Sequence, residues 1–297
     1  MRYYQAIKWF CVLIFFEISA VPYNFSICAL FKNESACLKE WIEYHRLIGV
    51  DHFYLYNNFS ADNYKAVLRP YIKQNLVTLI EWPNLIPENS DCLWSLSTQL
   101  TAYENALKWS AKAKTKWLVF LDVNEFLVSP RGEKISDILY QHEDSPGIIL
   151  SVEYYDASYR NFPLHRLVIE ASSITAPPKQ NIFRAVSKTI LKPDLCTNFL
   201  WPPYKCVFKE DAKPVRISKH ILRIQQYENR MRFPSIQEIK KTVPIDVTYM
   251  PEEMISSYLA NGYELEDRTI YPYIPSLYQR MGLGPSAIAP HRAVFYK

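Results

Sequence analysis

The chain has 297 residues, 49% of them hydrophobic and 22% charged, with a formal net charge of +4. That is enough apolar material for one large domain with at most a small appendage, and the charge balance argues against a disordered chain and against nucleic-acid binding. Six Gly against 20 Pro, with no Walker-type motif and no GxGxxG, weigh against kinases, ATPases and dinucleotide enzymes.

The first element is an apolar run, Trp9 to Phe16, behind Arg2 and Lys8 and interrupted by Glu17. It is too short to span a bilayer. Ile18-Ser19-Ala20 resembles a cleavage site, so residues 1–20 read as a signal peptide, with a cytosolic N-terminal strand or helix as the alternative. The first reading implies an exported or membrane-associated protein, the second a cytoplasmic one. Cys28, Cys37, Cys92, Cys196 and Cys206 follow with no CxxC pair, which argues against structural zinc and leaves room for one or two disulfides.

Beyond the leader, strand and helix patterns alternate. Ser26–Phe31 predicts a strand, and Ala36–Leu47 a helix with Leu38, Trp41 and Ile42 on one face and Gly49 as its stop. Val50–Tyr56 is a second strand, Ala61–Tyr71 a second helix, and Val77–Trp82 a third strand closed by Pro83. A longer helix over Leu96–Ala113 leads to Lys116–Leu121, a nearly all-apolar strand of the kind buried on both faces of a parallel sheet. Later strands, Ile148–Tyr154 and Val215–Ile224, are less regular, and helices are expected around Ser235–Lys241 and Pro251–Asn261. Such alternation predicts an α/β sheet with right-handed crossovers. Ligands bind at the carboxyl ends of the strands in sheets of this kind. Those ends are Lys32-Asn33-Glu34, Asn57-Asn58, the loop after Pro83, and Asp122-Val123-Asn124-Glu125.

The last of these is the sharpest feature. An acidic side chain leaving a buried strand needs a partner. A divalent cation bridging two phosphates of a nucleotide is one such partner; a capped turn or a Lys or Arg is another.

The stretch KNESACLKEWIEYHRLIGVDHFYLYNNFSADNYKAVLRPYIKQNLVTLIEWP, together with WLVFLDVNEFLV, KTILKP and LRIQQYENR, resembles glycosyltransferase family 92 over roughly residues 26–232. The resemblance implies a GT-A-type fold over residues 24–232, a mixed central sheet flanked by helices, with residues 233–297 as a C-terminal extension. It implies transfer of a hexose, typically galactose from UDP-galactose, with Mn²⁺ (or Mg²⁺) and inversion at the anomeric carbon. The acceptor is a glycan, a lipid-linked sugar or another hydroxyl. Carried over, Lys32, Asn33 and Glu34 lie near the nucleotide, Asn57 and Asn58 reach towards base or ribose, and Asp122 and Asn124 hold the two places of a DxD-like motif, with Glu125 as the acid after it. Two departures stand out. Asn124 replaces an Asp, and Gln225-Gln226-Tyr227 stands where the family reads Asn-His-Tyr, so His220 becomes the substitute metal ligand.

An inverting transfer needs a general base, for which Asp156 and Glu153 are the candidates. Arg230 is a candidate for the diphosphate, because a guanidinium forks onto phosphate oxygens. Trp94 and Trp201, in loops, are candidates for stacking on the acceptor. The bland readings are a core histidine for His45, core for Trp41 and Trp82, and a solvated helix face for Glu40 and Glu43. Asn24, Asn33 and Asn58 each open an Asn-X-Ser triplet, and a glycan at Asn33 or Asn58 would obstruct the inferred edge. With the leader, this favours a bacterial-type export or membrane-surface setting with peripheral membrane association. The rival reading is a catalytically idle nucleotide-sugar or glycan-binding protein on the same fold.

Overall fold

The computed structural model describes residues 22–82, 93–156, 167–171, 174–175, 187–200, 205–227, 245–246 and 265–284. In chain order its first half holds β1 (Phe25–Phe31), α1 (Ser35–Leu47), β2 (His52–Asn57), α2 (Tyr64–Lys73), β3 (Val77–Glu81), α3 (Leu93–Lys112), β4 (Trp117–Phe120), β5 (Glu125–Val128), α4 (Ile135–Gln141) and β6 (Gly147–Asp156). The second half holds α5 (Val168–Ala171), β7 (Ile174–Thr175), β8 (Ser187–Leu191), β9 (Cys196–Leu200), β10 (Lys205–Phe208), β11 (Val215–Arg216), β12 (Arg223–Tyr227), β13 (Ile245–Asp246), β14 (Leu265–Glu266) and α6 (Ile274–Met281). The helices expected around residues 235–241 and 251–261 lie outside the described residues.

The main sheet runs β13-β14-β7-β6-β8-β4-β1-β2-β3, with β5, β11 and β12 joined beside it. Strands β1 to β4 are mutually parallel, whereas β8 is antiparallel to both β4 and β6. This is the mixed α/β sheet with flanking helices that the family resemblance implies. Alternation along the strands builds a core on each face. Ile27, Ala29, Phe53, Leu55, Trp117 and Val119 face one apolar cluster with α1 and α2, while Cys28, Tyr54, Tyr56, Leu118 and Phe120 face another under α3. The stretch Val215–Ile224, read as one strand or a strand pair, is a pair, β11 and β12, separated by a turn at Lys219–Ile221.

α1 does more than cover the sheet. β5 pairs with β12 along one edge, and α1 satisfies groups on its backbone. Trp41 Nε1 donates to the Glu125 carbonyl at 2.9 Å, Tyr44 Oη donates to the Leu127 carbonyl at 2.8 Å, and Leu127 N–H donates to His45 Nε2 at 3.4 Å. Buried backbone groups require such partners, so the helix fixes where the acidic turn before β5 sits. The outer face of α1, predicted to be solvated, is covered too. Glu40 accepts the Val168 and Ile169 N–H groups at 2.9 and 3.2 Å. Glu43 accepts from Tyr71 Oη at 2.8 Å and pairs with Arg46 at 3.0 Å and Arg280 at 3.4 Å. Helical periodicity marks which residues share a face; it does not reveal that α2, α5 and α6 close over a polar one.

The described C-terminal residues 265–284 dock on this scaffold through a buried network. Arg223 donates to Asp267 at 2.6 Å and to Thr269 at 3.1 Å, and Tyr155 Oη donates to the same Asp267 carboxylate at 2.7 Å.

Candidate active site

The carboxyl ends of β1 and β2 are laced together. Asn33 N–H donates to Ser60 Oγ and the Asn33 side-chain carbonyl accepts Ala61 N–H, both at 2.8 Å, while Ser35 N–H donates to Asp62 at 2.7 Å. Asn57 is wholly engaged in bracing: its amide donates to Tyr64 Oη at 2.8 Å and to Glu81 at 2.6 Å, and its carbonyl accepts Ser60 N–H at 3.0 Å. A side-chain amide has two donor hydrogens, so Asn57 has none left for a base or ribose. Asn58 is only 7% exposed and is not presented to a ligand in this arrangement. In this arrangement Asn57 braces the turn, while the buried Asn58 Oδ1 has no hydrogen-bond partner. Lys32 and Asn33 are exposed on the rim, with Glu34 partly buried beside them.

On the other side of β1 from β2, β4 delivers Asp122 and the turn to β5. Glu125 is fully buried, and its carboxylate meets Lys188 Nζ at 2.5 Å while accepting Asp122 N–H at 2.8 Å. Lys188 Nζ also lies 3.8 Å from the Asp122 carboxylate, which is one-third exposed. Lys188 arrives here because β8 runs antiparallel, so the start of that strand lies at the carboxyl end of β4. Burial pushes the Glu125 carboxyl up to about 7; Lys188 opposes the rise and Asp122 adds to it.

Asn124 acts in the scaffold. Its amide donates to the Tyr227 carbonyl at 2.8 Å, and the Tyr227 N–H donates back to the Asn124 carbonyl at 2.9 Å. An aspartate here would set a carboxylate against that carbonyl oxygen, which gives the departure from the family pattern a local reason. Asn124 Oδ1 is buried and has no hydrogen-bond partner. His220, the expected third metal ligand, is exposed in the turn ahead of β12. Asn124 meets the far end of that strand, and five residues of strand span roughly 16 Å, so His220 is not brought to Asp122. Among the described residues no group of three or more His, Cys, Asp or Glu is placed to hold a metal. The partly exposed carboxylate of Asp122, with no further acid grouped beside it and the Lys188-paired Glu125 among the described residues, fits a cation carried on nucleotide phosphates, the usual manner of Mg²⁺; it does not fit a resident metal held by protein alone.

The base candidates separate. Asp156 ends β6 and pairs with Ile174, its side chain lying outside the described residues. β12 runs parallel to β6. Glu153 sits three residues back and its carboxylate is 3.7 Å from Lys219, in the turn at the opening end of β12, away from the carboxyl edge. Arg230, the side chain of Trp94, and Trp201 lie outside the described residues. Trp41 and His45 are fully buried, as their core readings expect. Lys188 was the residue missed. Its signal was a lysine at the start of the β-forming stretch Thr189-Ile190-Leu191, where a buried charge demands a partner.

The frame is thus an α/β sheet whose carboxyl edge carries the partly exposed Asp122 carboxylate, set by a buried ion pair. The family profile of glycosyltransferase family 92 matches residues 22–261. The chain belongs to that family. A family 92 protein of Oryza sativa subsp. japonica is 26% identical over 69% of this chain and 33% of its own length. One of Ricinus communis is 28% identical over 42% and 20% respectively. The chain thus spans about a third or less of these relatives. Solved structures with a slight likeness include S. aureus TarS in complex with UDP (TM-score 0.39, 10% identity, 69% of this chain and 60% of that one). Another is glucosyl-3-phosphoglycerate synthase of Mycobacterium tuberculosis with Mn²⁺ and UDP (TM-score 0.34, 12% identity, 91% and 84%).

Proposed function

We propose that this chain transfers a hexose, galactose in the first instance, from a UDP-sugar to a hydroxyl of a glycan or lipid-linked sugar, with inversion. The observation that carries the reading is the Asp122 carboxylate, outward at the carboxyl end of β4 and fixed from behind by Glu125 and Lys188, in a chain of family 92. Asp122 faces the diphosphate end of the donor, and Lys32 on the neighbouring rim adds positive charge for the phosphates. A divalent cation held by Asp122 and the phosphates would neutralise charge on the leaving diphosphate. Asp156, at the end of β6, takes the proton of the acceptor hydroxyl. The acceptor oxygen bonds to the anomeric carbon from the side opposite the phosphate. The bond from that carbon to the phosphate oxygen breaks, and UDP leaves with the electron pair.

Export or peripheral membrane association through residues 1–20 belongs to the same proposal. Among the described residues no helix is long and apolar enough to cross a membrane.

UDP calorimetry with and without Mn²⁺, on the wild type and Asp122→Ala, is the test. Binding that is lost in the variant supports the donor site and is followed by a UDP-sugar turnover screen, in which Asp156→Asn is expected to bind UDP and not turn over. Absence of UDP binding in the wild type under both conditions would remove the reading. UDP binding with no turnover of any UDP-sugar would favour the idle binder, to which the departures at Asn124 and Gln226 point.

A further inference from the structure

Phe59 carries two unfavourable features at once. Its side chain is 56% exposed. Its φ is +53°, in the left-handed region that is a genuine outlier for a bulky residue. The exposed large hydrophobics among the described residues are Phe59, Ile72, Trp109 and Tyr140, and of these Phe59 alone has a positive φ. A single exposed aromatic needs no explanation, but one held out in a strained conformation does.

The strain persists because the turn is pinned on both sides. Asn58 N–H donates to the Phe31 carbonyl at 2.9 Å, Ser60 N–H to Asn57 at 3.0 Å, and Asn33 ties down both Ser60 and Ala61 at 2.8 Å. Two loop segments, after β1 and after β2, thus pin the backbone of the turn that carries the exposed ring at the carboxyl edge. β1 lies between β2 and β4. Neighbouring strands are about 4.8 Å apart, so the turn after β2 and Asp122 after β4 are separated by roughly 10 Å along the edge. That is comparable to the reach of an extended nucleoside diphosphate from its base to its phosphates.

We propose that Phe59 is the stacking platform for the nucleobase of the donor. The inference rests on the proposed donor site and adds its base end: ring under the base, Asp122 at the diphosphate. A phenyl face has no hydrogen-bonding groups, so it contributes affinity for any planar base and leaves the choice of base to its neighbours.

The experiment is UDP calorimetry on the wild type, Phe59→Asn and Phe59→Tyr, with a thermal melt of each. Asn adopts the left-handed region at little cost, so Phe59→Asn is expected to melt at or above the wild-type temperature. Its UDP affinity is expected to fall roughly 10- to 100-fold, the loss that follows removal of a stacked aromatic. Phe59→Tyr keeps the ring and is expected to bind like the wild type. A Phe59→Asn protein that binds UDP as tightly as the wild type overturns the platform and leaves the donor site standing. So does a Phe59→Tyr protein as weak as Phe59→Asn. A wild type that does not bind UDP removes the donor site and the platform together.

Discussion

Removing Lys188 tests whether the acidic turn is held by its buried ion pair. Lys188 and Glu125 are 2% and 0% exposed, their charged atoms are 2.5 Å apart, and Glu125 Oε1 has no hydrogen-bond partner. Lys188→Met keeps the length of the stem and deletes the charge. Glu125 then loses the counter-charge that holds its raised pKa down, and at a pH high enough to keep it ionised the change costs about 3–5 kcal/mol. In a domain of this size 1 kcal/mol moves the melting temperature by roughly 2–4 °C, so a drop on the order of 10 °C is expected. Adding Glu125→Gln removes the stranded charge while keeping the shape. Replacing both partners of a buried pair is often close to neutral, so Lys188→Met with Glu125→Gln is expected to recover most of the loss. Urea unfolding of the four proteins in this double-mutant cycle gives the coupling directly. A Lys188→Met protein within about 1 kcal/mol of the wild type, or a double variant as unstable as the sum of the singles, would refute the reasoning.

His45 makes stability depend on acid. Burial lowers its pKa to about 3, against an ordinary 6.5. The neutral ring donates to the Trp41 carbonyl and accepts Leu127 N–H, and a second ring proton would oppose that N–H. A depressed pKa contributes stability that is present above pH 6.5 and lost as pH falls towards 3. The wild type should therefore lose about 1.4 kcal/mol per pH unit more than His45→Gln across that window, and parallel urea curves would contradict it. Gly147→Ala would place a Cβ 2.9 Å from the Phe208 ring and 3.0 Å from the Ile190 carbonyl oxygen. Overpacking of that kind costs about 1–3 kcal/mol, visible as a lower melting temperature; an unchanged melt would show that the ring moves aside freely. Asn57→Ala removes three hydrogen bonds that join β2, α2 and β3. The polar groups left behind predict a loss of about 1–3 kcal/mol in denaturant unfolding, whereas a role confined to ligand contact would leave the urea midpoint unmoved.

Much of the scaffold follows from local pattern. Near-continuous apolar runs in Phe25–Phe31 and Trp117–Phe120 mark strands buried on two faces, and both are. The helical spacing of Leu38, Trp41 and Ile42 marks the core face of α1, and the polar strand ends mark an edge, because ladder geometry carries the side chains of consecutive parallel strands to the same end. Pattern misassigned residues whose chemistry depends on partners distant in sequence. Asn57 reads as a ligand contact because it is polar at a strand end; the structure engages it with Glu81, 24 residues on. Asn124 reads as a weakened metal ligand, yet its partner is the carbonyl of Tyr227, 103 residues away. His220 is three residues before β12 in the chain, and the strand then carries the sequence away from it. The sequence by itself determined the family, the α/β order of the elements and the place of Asp122 at the end of a buried strand, because these depend on local periodicity and contiguous motif. Only the tertiary structure decided that Glu125 is paired with Lys188, that Asp122 stays partly exposed beside this pair and that Phe59 is held strained at the rim. Each of these depends on an antiparallel crossing or a hydrogen-bonded turn that joins segments no periodicity connects.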